Sequence, residues 1–240
     1  MAYVLLGFVV MRKNAYTEMI EMQINNLLLK HYLKNVMFIN GTSYAGKSTM
    51  VKMLADKYGL VHCGENYDCV PKNLISPKTH PNLCYFQTMG DWQEFVNRTP
   101  QEYNDWIIGT QRELVEFEIM HLISVSQTQK TVVDTNIPID VLREVASYNQ
   151  VAIMLSPQSM SVKKFFDRDD SDKIFLKGEI MKADNPEKTM QNFLNCMAEV
   201  NNKKAYEEFA SSGFFTLVRE DAEKDTKSEI LNALSKHFGL

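Results

Sequence analysis

The chain has 240 residues, 45% hydrophobic and 23% charged, which excludes a disordered or fibrous protein and leaves room for one large domain but not three. Lys and Arg number 26 against 30 Asp and Glu, for a net charge of −4, so a broad electrostatic nucleic-acid surface is excluded and no nucleic-acid partner is expected. Cys63, Cys69, Cys84 and Cys196 contain no C-x-x-C pair, the pattern of buried thiols in a reducing, cytoplasmic compartment.

Residues 2–11 are apolar, but a bilayer span needs about 20 such residues, so no membrane span is expected here. A secretory signal would carry its positive charge before the apolar run, whereas Arg12 and Lys13 follow it. Residues 15–34 then place Tyr16, Ile20, Ile24, Leu27, Leu28 and Tyr32 at three- and four-residue steps, the stripe of an amphipathic helix. Three origins fit this 1–35 extension: a helix packed on its own domain, a partner- or membrane-binding segment, or translation from a start codon upstream of the native one. A chain beginning near Asn35 is expected to fold and to bind nucleotide.

From residue 36 onward short apolar runs alternate with helical patterns. Strands are predicted at 36–40, 60–63, 130–134, 151–155 and 214–218, apolar without alternation, as burial on both faces requires. A helix over 47–58 stops at Gly59, and Pro71, Pro77 and Pro81 keep residues 64–98 irregular. Thr99-Pro100-Gln101-Glu102 is a capping box that starts a helix running to about residue 126. Further helices are predicted over 138–148, from Ser156-Pro157 to about 166, from Asn185-Pro186 onward, and over 222–237. Strands joined by helical crossovers make an α/β fold, a parallel sheet with helices on both faces. Residues 36–240 thus read as one domain, with an insertion at 64–126 and a mobile charged segment at 167–185.

One motif carries chemistry. Gly41-Thr42-Ser43-Tyr44-Ala45-Gly46-Lys47-Ser48 matches G-x-x-x-x-G-K-[ST], follows a predicted strand and opens a predicted helix. Consecutive main-chain amides in such a loop wrap phosphates, and the helix N-terminus adds positive potential. Lys47 supplies a point charge to the β- and γ-phosphates, and Ser48 offers its hydroxyl to Mg²⁺. Thr49 is the usual small neighbour. The chain has no [NT]-K-x-D guanine motif, no L-S-G-G-Q signature and no Asp-Glu pair after its third strand.

The loop and the strand–helix order resemble the P-loop small-molecule kinases: the shikimate, gluconate and nucleoside kinases and the chloramphenicol phosphotransferase group, whose loop is similar to the segment FINGTSYAGKST. The resemblance covers residues 36–240. It implies a three-layer αβα sandwich with a five-stranded parallel sheet in the order 2-3-1-4-5. It also implies ATP and Mg²⁺ as cofactors, a small-molecule acceptor as partner, and a monomer or homodimer. Tyr44 departs from the small residues of many relatives, and its side chain must point away from the phosphates.

By the same resemblance Asp134, ending the third strand, holds Mg²⁺ together with Ser48, and Asn136 contacts substrate or serves a turn. The acceptor hydroxyl meets a carboxylate after the second strand, either Glu65 or Asp68. Arg168 in the charged segment, flanked by Lys164 and Lys173, closes over the transferring phosphoryl group. Arg219 lies near the adenine, and Arg98, Arg112 and Arg143 are candidates for an anionic acceptor. Phe86, Trp92, Tyr103 and Trp106 line an acceptor pocket or pack the core. The implied activity is transfer of the γ-phosphoryl group of ATP to a small-molecule acceptor. The alternatives are an ATP-binding switch without transfer and a kinase-like toxin or resistance factor.

Overall fold

The computed structural model describes residues 25–65, 69–167, 170–220 and 224–240. Its first elements are α1 (Asn26–Tyr32), β1 (Val36–Gly41), α2 (Lys47–Tyr58), β2 (Val61–Cys63), α3 (Tyr85–Thr88), α4 (Trp92–Val96), α5 (Pro100–Val125) and β3 (Thr131–Asp134). They continue as α6 (Ile139–Val145), β4 (Val151–Leu155), α7 (Gln158–Lys163), α8 (Ser171–Met181), α9 (Pro186–Val200), α10 (Lys203–Ala210), β5 (Phe215–Val218) and α11 (Lys227–Phe238).

All five strands run parallel in the order β2-β3-β1-β4-β5. The β1 side chains alternate between two cores. Val36 and Phe38 pack with Leu122 of α5 and Leu142 of α6, while Met37 and Ile39 pack with Leu54 of α2 and Leu234 of α11. Helices therefore cover both faces, as the unalternating apolar strands predict. A third core, built on Phe95, Tyr103, Ile180 and Phe193, joins the insertion to α8 and α9.

In the helical extension, residues 1–24 lie outside the described residues. In α1 the expected stripe is not the buried one: Leu27, Leu28 and Tyr32 are exposed, while Leu29 and the fully buried Leu33 face the core. The face is set from outside the helix. Asn26 donates to Glu144 of α6, and the Gln150 amide donates to the carbonyls of Leu33 (2.7 Å) and Val36 (3.0 Å). A chain beginning at Asn35 lacks Leu33 and leaves part of the Gln150 amide unpaired. Loss of a buried leucine costs about 2–5 kcal/mol. The shortened chain is therefore expected to fold with a lower urea midpoint than the full chain, and Leu33→Ala alone is expected to reproduce most of that drop.

The charged segment differs from its expectation as well. Its described part is helical, because Asp170 caps α8 by accepting from the Lys173 amide. Ile180 is fully buried, Phe175 meets Trp92 edge-on at 4.9 Å, and Gln93 donates to the Glu179 carbonyl. The predicted helix over 138–148 stops at Val145, since Ser147 and Gln150 form a capping box around a 3₁₀ turn.

Candidate functional site

The carboxyl ends of parallel strands share one edge of the sheet, and ligands bind there where the strand order reverses. Here β1 is that strand, with β3 on one side and β4 on the other. The register sets Asp134 beside Ile39 and Met154 beside Gly41, so a carboxylate and a loop leave the sheet side by side.

The loop from Gly41 to Gly46 turns through three left-handed residues: Gly41 (φ 131°), Tyr44 (φ 66°) and Gly46 (φ 92°). At Gly41 glycine is obligatory, because a Cβ would lie 1.9 Å from the Met154 carbonyl oxygen. Two straps hold the loop. The buried Asn40 side chain donates to the Ile137 carbonyl (2.7 Å) and accepts from the Gly41 amide (2.6 Å). On the other side, the Ser156 amide donates to the Thr42 hydroxyl, and the Ser156 hydroxyl donates to the Ser43 carbonyl. Helix α2 then begins at Gly46 with no side-chain cap and no acidic residue in its first turn, which leaves its leading amides for an anion.

Lys47 is buried, with Nζ 3.3 Å from the Thr42 carbonyl oxygen and 3.9 Å from Asp134 Oδ1. Ser48 donates its hydroxyl to Asp134 Oδ2 at 2.6 Å. Asp134 is buried, and its Oδ1 has no hydrogen-bond partner. Burial raises its pKa above 3.8, Glu65 adds to the rise, and Lys47 and the Ser48 hydroxyl oppose it. An orphaned carboxylate oxygen next to an oriented hydroxyl is a pair of hard oxygen donors, which suits Mg²⁺. No cluster of three or more His, Cys, Asp or Glu that could hold a metal occurs among the described residues. A cation at Asp134 and Ser48 therefore needs further oxygens from phosphate or water, as Mg²⁺ commonly does. Beyond Asp134, the Thr135 hydroxyl donates to the buried Glu118 and accepts from the Ile137 amide, fixing the turn that follows the strand.

Tyr44 lines the cleft beside Lys47 and Ser48, and its hydroxyl donates to the Lys164 carbonyl at 2.6 Å. Arg219 leaves β5 and reaches the Tyr44 carbonyl at 3.4 Å. It lines a cavity of about 180 Å³ with Ala45, Gly46, Thr49 and Ile230, on the α11 side of the loop.

A larger cleft of about 500 Å³ opens on the other side of Lys47 and Ser48. Glu65 enters it from the end of β2, with its Oε1 3.4 Å from the Asn136 amide nitrogen. Asp68 and Arg168 lie outside the described residues, so Glu65 is the candidate base that can be located. Lys173 lines the cleft, held against Asp170 and over the Phe165 ring. Of the four aromatic candidates only Tyr103 lines it, with its phenol pushed far above the usual pKa by burial. Phe86, Trp92 and Trp106 pack against one another and Phe95, and the Trp106 indole donates to the Asn82 carbonyl.

Sequence reasoning missed Asn40, Ser156 and the cleft walls from α9. A polar residue ending an apolar strand is the one available signal, and it marks Asn40. No family model matches the chain, and no curated protein matches it. No helix among the described residues is long and apolar enough to cross a membrane.

Proposed function

We propose that the loop binds a nucleoside triphosphate and that the chain belongs, by function, with the P-loop phosphotransferases. Within that class it moves the γ-phosphoryl group of ATP to the hydroxyl of a small molecule. The carrying observation is the unpartnered Asp134 Oδ1 facing Lys47 and Ser48 under an uncapped helix N-terminus. A magnesium–triphosphate would give the orphaned carboxylate oxygen and the uncapped leading amides their missing partners, and would offer Lys47 phosphate oxygens in place of the Thr42 carbonyl. The two cavities flanking the loop support the same reading, one for the nucleoside at Arg219 and one for the acceptor at Glu65.

In the proposed reaction the acceptor oxygen bonds to the γ-phosphorus as the β–γ bridging P–O bond breaks. ADP leaves with the bonding pair, and the hydroxyl proton passes to the Glu65 carboxylate and then to solvent. Loop amides and Lys47 hold the phosphates in line and stabilise the charge on the phosphoryl oxygens. Mg²⁺ at Ser48 and Asp134 would neutralise phosphate charge when bound.

The test is ³¹P NMR of the full chain with Mg·ATP and a mixed metabolite pool. A new phosphoester resonance growing with ADP is expected, and ADP formation no faster than without acceptors would reject the transferase. Once an acceptor is found, Glu65→Gln is expected to lower kcat about a hundredfold with the affinity for Mg·ATP retained. Unchanged turnover would remove Glu65 from the proton transfer.

A further inference from the structure

Tyr44 is the one non-glycine residue with a left-handed backbone among the described residues, at φ 66°. Glycine adopts that conformation without steric cost, so a side chain held there points to a contact that needs it. Tyr44 is tied at both ends. Its carbonyl accepts from Arg219 at 3.4 Å, and its hydroxyl donates to the Lys164 carbonyl at 2.6 Å, across 120 residues of chain. Lys164 is the C-cap of α7. Carbonyls at a helix end have no partner within the helix and take one from outside. The Lys164 carbonyl takes two, the Tyr44 hydroxyl and the Asp167 amide at 3.2 Å. Between Lys164 and Asp167 stand Phe165 and Phe166, whose rings lie 5.8 and 5.9 Å from that of Phe193 on α9. Phe165 lines the cleft with Tyr44, and the Lys173 ammonium sits 5.3 Å from its ring centroid. Lys173 lines the cleft too, and is the charge that this wall carries. Arg98, Arg112 and Arg143 do not line it; they engage the Tyr85 ring, Asp140 and the carbonyls of Ser211 and Ser212.

We propose that Tyr44 is a positioning residue whose hydroxyl, acting through the Lys164 carbonyl, sets the Phe165–Lys173 wall of the cleft against the phosphate loop. A ligand that fixes the loop then also fixes the wall, and Tyr44 carries the coupling between them. A small side chain at this position would not reach Lys164, so the tether belongs to this chain and not to the loop pattern. This role rests on the phosphotransferase reading for its ligand, whereas the tether itself can be measured without one.

Hydrogen–deuterium exchange of the full chain tests this in the parent, Tyr44→Phe and Tyr44→Gly, each with and without Mg·AMP-PNP. Tyr44→Phe removes the donor and keeps the ring. Tyr44→Gly removes the side chain and suits the left-handed turn. Without nucleotide, both variants are expected to exchange the amides of 164–167 about fivefold faster than the parent, the scale of one hydrogen bond, with β1 and β4 unchanged. With Mg·AMP-PNP the parent is expected to gain protection over 164–167 and over α8. Tyr44→Phe is expected to lose that gain while keeping its affinity for Mg·AMP-PNP, a separation that a purely structural role for Tyr44 would not produce. Unchanged exchange over 164–167 in both variants overturns the proposal, as does nucleotide-dependent protection that survives Tyr44→Phe. Faster exchange in the variants together with a parent that binds no Mg·AMP-PNP would uphold the tether and reject the phosphotransferase reading instead.

Discussion

Lys47→Ala is expected to lower ATP-dependent turnover by about a hundredfold to a thousandfold, the scale seen when one preorganised charge is removed from a transition state. The effect has two sources. Lys47 is the only cation within ion-pair distance of Asp134 among the described residues, with Nζ resting 3.9 Å from it in a buried position. In the proposed nucleotide complex that ammonium would exchange a carbonyl and a carboxylate for phosphate oxygens, so its charge would be pre-positioned at little reorganisation cost. Removing it also leaves the buried carboxylate without its cation, which destabilises the unliganded fold. Lys47→Arg is expected to restore stability better than turnover, because a planar fork does not replace a point charge in a closed loop. Thermal melts and initial rates of ADP formation separate the two effects. Full turnover by Lys47→Ala would reject the assignment of the loop.

Asp134→Asn is expected to be nearly as damaging to activity and to have the opposite effect on the unliganded protein. The amide keeps the shape of the side chain and still accepts the Ser48 hydroxyl, but it offers a weak ligand to Mg²⁺. The pKa of Asp134 is raised by burial from 3.8, so the native state holds this proton more tightly than the unfolded chain does. The Asp134 contribution to stability is therefore most favourable in acid and declines as pH rises from the unfolded value through the raised native one. The asparagine variant lacks this titration. Its melting temperature relative to the parent should rise across that pH window, while the stabilisation that Mg·ATP confers on the parent should vanish. Magnesium affinity of the parent should increase over the same window if, as proposed, the ionised carboxylate is the ligand. An asparagine variant with undiminished magnesium-dependent stabilisation would remove Asp134 from the metal site.

The features legible in the sequence are those written in contiguous residues. The strand at 36–40 is an apolar run closed by Asn40, and the structure extends it by one residue to Gly41, where glycine is obligatory. The capping box at Thr99 marks the start of α5 because both hydrogen bonds are local. The loop is legible because its residues match a phosphate-binding pattern whose spacing is fixed. What escapes is assembled over long distances. Asn40 finds its partner 97 residues away and Ser156 ties a loop 113 residues upstream, and neither distance has a local signature. The cleft lining brings Ile107 of α5 together with Val200 of α9, and an apolar residue on a helix carries no mark of facing a cavity rather than a core. Helix α8 has a local cap at Asp170, but the contacts that seat it, Phe175 to Trp92 and Glu179 to Gln93, reach into the insertion and leave no mark in the charged segment.

The central claim is that the loop between β1 and α2 grips the phosphates of a nucleotide. Isothermal titration calorimetry of the full chain with Mg·ATP tests it most directly. A saturable heat is expected, lost in Lys47→Ala and dependent on magnesium through Asp134. A folded protein that takes up no nucleotide at millimolar concentration would contradict it.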